Sequence, residues 1–112
     1  MPRKKIKKAV FNSGFLSIEQ IELSKRKIIL PKVPFGNETV TENRFNAAMA
    51  SDARIVKVVH IPLHNEVLQL IPENAIVQIN KHDYEIWKQQ PIETTNPPIV
   101  VLQLKEWEYG KN

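Results

Sequence analysis

Prolines divide this chain into short segments, and their spacing constrains the fold more than any other feature of the sequence. Seven of the eight prolines lie beyond residue 30: Pro31, Pro34, Pro62, Pro72, Pro91, Pro97 and Pro98. Proline removes a backbone donor and clashes with the preceding helical turn, so long helices cannot dominate. Segments of about ten residues between turn signals are typical of the short strands of a sandwich or barrel.

Apolar patterns between the prolines predict the strands. The predicted strands are residues 15–23, 27–30, 39–41, 54–61, 75–79, 84–88 and 99–105. Leu16 and Ile18 alternate with polar residues and Ile21 breaks the phase, which predicts a bulge or an edge position. Residues 36–37 and the polar run 80–83 predict turns, the second of them within a hairpin.

Residues 42–52 form the stretch that most favours a helix. Phe45 and Met49 lie four residues apart and would share a helical face. The stretch is short, so a helical turn and an irregular excursion are both compatible with it. The predicted fold class is therefore mainly β, a small single-domain β-barrel or sandwich of six to seven short strands with one irregular or briefly helical excursion.

At 112 residues the chain is long enough for one apolar core and one domain. We predict a basic, flexible leader at residues 1–9, a β-rich domain at 10–109 and a C-terminal tail at 110–112. The apolar positions of the alternating segments predict the core. Its predicted members are Leu16, Ile18, Val59, Ile79, Tyr84, Ile86, Val100, Leu102 and Leu104.

The basic character of the chain belongs to its first residues. Five of the first eight residues are cationic, whereas the whole chain carries a net charge of +4, so the remainder carries −1. Such a leader is either a disordered, solubilising terminus or a segment that attracts phosphates without reading sequence. The predicted contacts with nucleic acid or an acidic partner are Arg3, Lys4, Lys5, Lys7 and Lys8, with Lys25, Arg26 and Lys27 as a second, smaller cluster.

The residue content argues against catalysis and metal binding. The chain has no cysteine, which excludes thiol nucleophiles, disulfides and cysteine-based zinc sites. His60 and His64 have the spacing of zinc ligands on a helix, but Pro62 lies between them, and on a strand they would stand about 13 Å apart. The sequence has no glycine-rich phosphate loop and no metalloprotease or nucleophile-elbow motif. We predict no enzymatic activity, no cofactor and no metal.

The terminal segments bear on location and assembly. The leader lacks the apolar stretch of a signal peptide, and no apolar run approaches the roughly 20 residues of a membrane span, so we expect an intracellular protein without membrane contact. Trp107 and Tyr109 follow the last predicted strand, where they either pack back on their own sheet or anchor a neighbouring subunit. The predicted subunit interface comprises Arg44, Phe45, Met49, Trp107 and Tyr109.

The order of these segments resembles the small head-completion proteins of tailed bacteriophages and prophages, called head–tail connector, head closure or head–tail joining proteins. Residues 10–16 followed by Ile18 are similar to the family's opening F-N-(D/S)-G-x-L-x-I. The run 44–48 is similar to its R-(F/Y)-x-x-A excursion, and 79–86 to its hairpin pattern ending in Y-x-I, although without the usual glycine. The other matching segments are residues 34–36, 39–40, 58–62 and 98–104, and the resemblance covers roughly residues 10–107.

This resemblance implies a structural virion-assembly protein of a phage or prophage. Its subunits would form a ring that joins the portal of the DNA-filled head to the tail and helps to retain the DNA. The implied partners are a portal or adaptor ring, tail proteins, further copies of the chain and, through non-specific contact, the packaged double-stranded DNA. The implied location is the head–tail junction of the virion, and the bacterial cytoplasm during assembly.

Two other functions fit the same residues. A tail-terminator or tail-completion subunit is the first, and such chains generally carry a substantial helix against the sheet. The second is a small β domain that binds nucleic acid non-specifically through its basic leader. An isolated connector subunit is expected to be able to remain monomeric until its partner surface exists.

Overall fold

Six antiparallel strands close on themselves into a barrel in the computed structural model, which describes residues 7–38 and 55–107. The barrel strands are β2 (Gly14–Glu22), β3 (Lys25–Glu38), β4 (Ile55–Pro62), β5 (Ala75–Ile79), β6 (His82–Ile92) and β8 (Ile99–Glu106). Their order around the wall is β2-β3-β4-β8-β6-β5, and β5 pairs back to β2. Two short strands, β1 (Lys7–Lys8) and β7 (Thr95–Asn96), form a separate parallel pair. The predicted mainly β, barrel-like fold is confirmed.

Within residues 7–38 and 55–107, the helical residues lie between β4 and β5. Helix α1 spans Asn65–Leu68, and a 3-10 helix spans Pro72–Asn74. Val67 and Leu70 of this connection are buried in the barrel core. The sequence analysis predicted its single excursion at residues 42–52, which lie outside the described residues, and predicted no helical turn between β4 and β5.

Strand β3 is longer than predicted. The prediction ended it at Pro31 and placed a turn at residues 36–37, but β3 runs on to Glu38. Ser17 lies between the pairs Leu16↔Val33 and Ile18↔Leu30, so Pro31 falls within a bulge, where no regular ladder bond is lost.

The glycine of the predicted turn lies inside this strand as well. Gly36 and Asn37 pair with β4 opposite His60 and Val59. Among the described residues, β4 pairs with β3 only at positions 36–38. At Pro34, β3 therefore pairs with a neighbouring strand along one edge only, the edge that faces β2. The predicted strand at 39–41 lies outside the described residues.

The β5–β6 hairpin is confirmed, but its turn is shorter than predicted. Asn80 and Lys81 form the turn with φ of 51° and 66°, while His82 and Asp83 already pair with Ile79 and Gln78. Two residues with positive φ match the right-handed twist of the strands. The bulge predicted at Ile21 is wrong in position, because Ile21 pairs regularly with Arg26 and the β2–β3 register shifts on either side of residue 18. Ile21 lies beyond the four β2 residues that pair with β5, which agrees with the edge position given as the alternative.

Two apolar clusters lie on opposite faces of one wall of the barrel. The interior cluster contains every predicted core residue, with Tyr84 only partly buried at its margin. The second cluster comprises Ile55, Val58, Ile99 and Val101, with Ala9, Phe11, Trp87 and Ile92 packed against them. Residues 99–104 of β8 are consequently buried without interruption, since both faces of this strand are covered.

Candidate functional site

The end of the basic leader is attached to the barrel by backbone pairing. Lys7 and Lys8 pair in parallel with Thr95 and Asn96, and the N–H of Ala9 donates to the carbonyl oxygen of Asn96 at 3.0 Å. Residues 7–9, which the sequence analysis assigned to the leader, therefore extend the small sheet with β7. We call residues 7–10, where the leader meets the folded domain, the leader root. Lys8 is exposed there.

A histidine on β4 holds the next residue of the leader. His60 Nε2 lies 2.6 Å from the carbonyl oxygen of Val10, which can only accept, so Nε2 carries the hydrogen. Gly36 lies beneath both groups, and a Cβ there would stand 2.6 Å from the Val10 oxygen and against the His60 ring. The Phe11 ring lies 5.4 Å from the imidazole, so aromatic packing supports the same contact.

The second ring nitrogen of His60 faces a carboxylate. Nδ1 lies 3.2 Å from Glu38 Oε2, and the two side chains are 15% and 28% exposed. Nδ1 has no hydrogen-bond partner of good geometry in the described part of the chain, so this is a contact between charges when the ring is protonated.

The three side chains of the cluster Lys25-Arg26-Lys27 do not lie on one face of β3. Alternate residues of a strand point to opposite faces, so the two lysines share one face and Arg26 points to the other. Arg26 donates from Nε to Glu19 Oε2 at 2.7 Å and from Nη2 to Asp83 Oδ1 at 3.1 Å. The hydrogen bond to Asp83 is the main cause that raises the pKa of Arg26.

Arg26 thus joins the β2–β3 hairpin to β6, and its charge is neutralised within the chain. Lys25 and Lys27 remain exposed. Of the three residues of this cluster, the two lysines have no ion pair with a carboxylate in the described part of the chain and present their ammonium groups to a ligand.

Trp107 lies beside the same arginine. The Arg26 guanidinium carbon is 5.3 Å from the centre of the Trp107 ring, a cation–π geometry. Ile21, Ser24, Arg26 and Trp107 line a groove of about 450 Å³. Trp107 therefore packs against Arg26 of the β2–β3 hairpin and helps to line this groove, and its contact with a neighbouring subunit stays a prediction.

Several predicted contact residues lie outside the part of the chain that the structure describes. They are Arg3, Lys4, Lys5, Arg44, Phe45, Met49 and Tyr109. Lys7 is placed by its backbone pairing with β7. The nucleic-acid and subunit-contact roles given to these residues stay predictions.

The histidines do not form a metal site with the carboxylates of the described residues, where no group of three potential ligands is close enough together. His82 Nε2 lies 2.7 Å from Glu106 Oε2, and the His82 ring lies 4.6 Å from the Tyr84 ring. Burial raises the pKa of the Tyr84 phenol, and the negative charge of Glu106 raises it further. A tyrosine held in its neutral form is the opposite of an activated nucleophile or base.

Sequence reasoning missed the residues that anchor the leader. It considered His60 only as a metal ligand, and it placed Gly36 in a turn. The contact joins positions 50 residues apart, and no local pattern in the sequence marks it. The contact of Arg26 with Glu19, which lies diagonally across the β2–β3 hairpin, was missed as well, because that hairpin was not predicted.

Comparison with known proteins identifies no relative of this chain. No protein-family model, curated protein or solved structure matches the chain. Within residues 7–38 and 55–107, no helix has the length and apolar character needed to cross a bilayer.

Proposed function

We propose that this protein is a structural connector of a phage or prophage, forming a ring that joins the portal of the DNA-filled head to the tail. The observation that carries the proposal is the fixed root of the basic leader on the wall of a closed barrel. The pairing at Lys7–Lys8 and the bond from His60 to Val10 hold this root. The motif order along residues 10–107 supports the same function.

The leader and the barrel carry charges of opposite sign. The first eight residues hold five cations, and the rest of the chain has a net charge of −1. In a ring every subunit has the same surroundings, so each leader root would lie at one radius and one height. Cationic segments repeated in this way would face DNA phosphates or an acidic neighbouring ring, while the barrels supply the wall.

The helical content favours a connector over a tail-terminator subunit. The helical residues in the described part of the chain are the four of α1 and the three of the 3-10 helix. Val67 of α1 and Leu70, which lies between the two helices, pack into the barrel core, whereas no residue of the 3-10 helix is buried. Neither of these short helices forms a layer against the sheet.

Deletion of the gene from the phage or prophage that carries it tests the proposal. We expect DNA-filled heads without tails, or heads that have lost their DNA, when lysates are examined by electron microscopy and nuclease protection. Complementation with the intact gene should restore tailed particles. Normal virions from the deletion would refute the proposed function.

Gene order gives an independent check. A portal and a major capsid gene upstream, with tail genes downstream, would agree with a connector. A neighbourhood of metabolic or regulatory genes would leave the nucleic-acid-binding domain as the function to test.

A further inference from the structure

The apex of the β2–β3 hairpin combines backbone strain with an exposed apolar side chain. Leu23 and Ser24 form the turn with φ of 51° and 64°, a region that favours glycine and asparagine. Leu23 is 96% exposed. A strained turn residue whose large apolar side chain is almost fully exposed points to a contact outside its own fold.

Two lysines extend the same surface down one face of the hairpin. Lys25 and Lys27 are exposed, and neither forms an ion pair with a residue of the described ranges 7–38 and 55–107. Glu22 lies opposite Lys25 without an ion pair, so the face keeps a net positive charge. We call Leu23, Lys25 and Lys27 the hairpin apex.

The connection between β4 and β5 has the opposite character. Residues 63–74 contain two glutamates and no lysine or arginine. Glu66 and Glu73 are exposed and form no ion pair with any described residue. Leu68 and Ile71, next to the buried Val67 and Leu70, are 39% and 51% exposed. We call Glu66, Leu68, Ile71 and Glu73 the acidic cap.

We propose that the hairpin apex of one copy of this chain binds the acidic cap of another copy. The apex has a net positive charge, two lysines beside Glu22, and one exposed leucine, whereas the cap has two glutamates and two exposed apolar side chains, so the two are complementary in charge and in hydrophobicity. Apex against apex and cap against cap would place like charges together, so unlike surfaces meet. The contact joins neighbouring copies, and it rests on the proposed function, in which copies of the chain assemble side by side.

Disulfide trapping tests this contact directly, because the chain has no cysteine of its own. The Leu23→Cys variant is mixed with the Ile71→Cys variant under a mild oxidant, and the disulfide-linked dimer is quantified on a non-reducing gel. Both positions are exposed, so both variants keep the core intact. Val56→Cys, a 41% exposed position on β4, replaces Ile71→Cys as the matched control. We expect a yield of linked dimer at least about tenfold above the control pair.

A charge exchange tests the electrostatic part. Lys25→Glu with Lys27→Glu in the Leu23→Cys chain should reduce the yield to the control level. Adding Glu66→Lys with Glu73→Lys to the Ile71→Cys chain should restore it, because the signs are complementary again. High salt should weaken the original pair and the exchanged pair alike.

Three results would overturn the contact: equal yields for Ile71→Cys and Val56→Cys, a Leu23→Cys homodimer in excess of the mixed dimer, or no recovery on charge exchange. The gene deletion separates this outcome from the function. Tailless heads without specific trapping would leave the connector function standing and remove this contact. Specific trapping together with normal virions from the deletion would leave this contact standing and remove the connector function.

Discussion

Residue 36 is the point where the fold tolerates no side chain. A Cβ on Gly36 would stand 2.6 Å from the Val10 carbonyl oxygen and would meet the His60 ring. We expect Gly36→Ala to lower the free energy of unfolding by about 1–3 kcal/mol, as overpacking in a tight site does. Urea denaturation followed by far-ultraviolet circular dichroism measures this.

A double-mutant cycle with His60→Ala assigns the cause. If the alanine methyl group meets the imidazole, Gly36→Ala should cost less in the His60→Ala background than in the natural chain. Strictly additive costs would contradict the packing of His60 over Gly36.

Tyr84 makes the stability of the fold depend on alkaline pH. Burial, and then the charge of Glu106, raises the pKa of Tyr84 above its ordinary value of 10.0. The folded state therefore keeps the proton more strongly than the unfolded state. The contribution is fully present below pH 10 and is lost as the pH rises from there through the folded pKa.

Tyr84→Phe should remove this loss. We expect the variant's free energy of unfolding to fall less between pH 9 and pH 11 than that of the natural chain, because phenylalanine has no proton to release. Urea denaturation across this range measures the difference. Parallel pH profiles for the two proteins would show that Tyr84 titrates normally in the fold.

Among the elements, both tight hairpins use turn residues that strain the backbone. Asn80 suits a positive φ, whereas Lys81 with φ of 66° does not. We expect Lys81→Gly to raise the free energy of unfolding by about 1 kcal/mol, since glycine adopts this conformation without a steric cost. Denaturation midpoints in urea measure the gain. Lys88→Gly within β6 is the control and should destabilise, because it removes a side chain from a strand.

Arg26 is the charged link between the β2–β3 hairpin and β6. Its side chain and those of Glu19 and Asp83 are 36%, 15% and 22% exposed, so solvent screens the ion pairs. We expect Arg26→Gln to cost about 1 kcal/mol in the free energy of unfolding, and less at high salt.

Lys27→Gln, one position along the same strand, is the matched control for this link. Its charge has no carboxylate partner in the described ranges, so we expect a change within about 0.5 kcal/mol. Equal costs for the two substitutions in urea denaturation would argue against a structural role of the Arg26 pairs.

At the scale of the whole molecule, the charge is separated between a cationic leader and a nearly neutral barrel. If the leader meets phosphates, five contacts give a slope of about −4.5 in log affinity against log salt concentration on duplex DNA. Replacing its five cations by glutamine should bring this slope close to zero, because the barrel's net charge of −1 provides no attraction. Fluorescence anisotropy with a labelled duplex at graded salt measures it.

The two free lysines of the hairpin serve as the comparison for the leader. Lys25→Gln with Lys27→Gln should leave the slope close to about −4.5, because the five contacts of the leader account for all of it. A slope that survives neutralisation of the leader would place the DNA contact on the barrel instead.

The sequence by itself determined the local elements of this protein. The two-residue alternation of β2 and β8 and the polar residues at 80–83 mark strands, faces and a hairpin, because these patterns depend on neighbours a few positions apart. The predicted core residues other than Tyr84, which is partly buried, are buried for the same reason. The separation of the basic leader from the barrel is a property of composition and needs no structure.

Only the tertiary structure decided which residues meet across the barrel. The length of β3 beyond Pro31 depends on a bulge and on a missing ladder, both set by pairing with other strands. The contact of His60 with Val10 and the two carboxylates at Arg26 join distant positions in the chain, so they follow from register and closure. These long-range contacts determine which cations are neutralised, which remain free and where the leader leaves the barrel, and no local pattern encodes them.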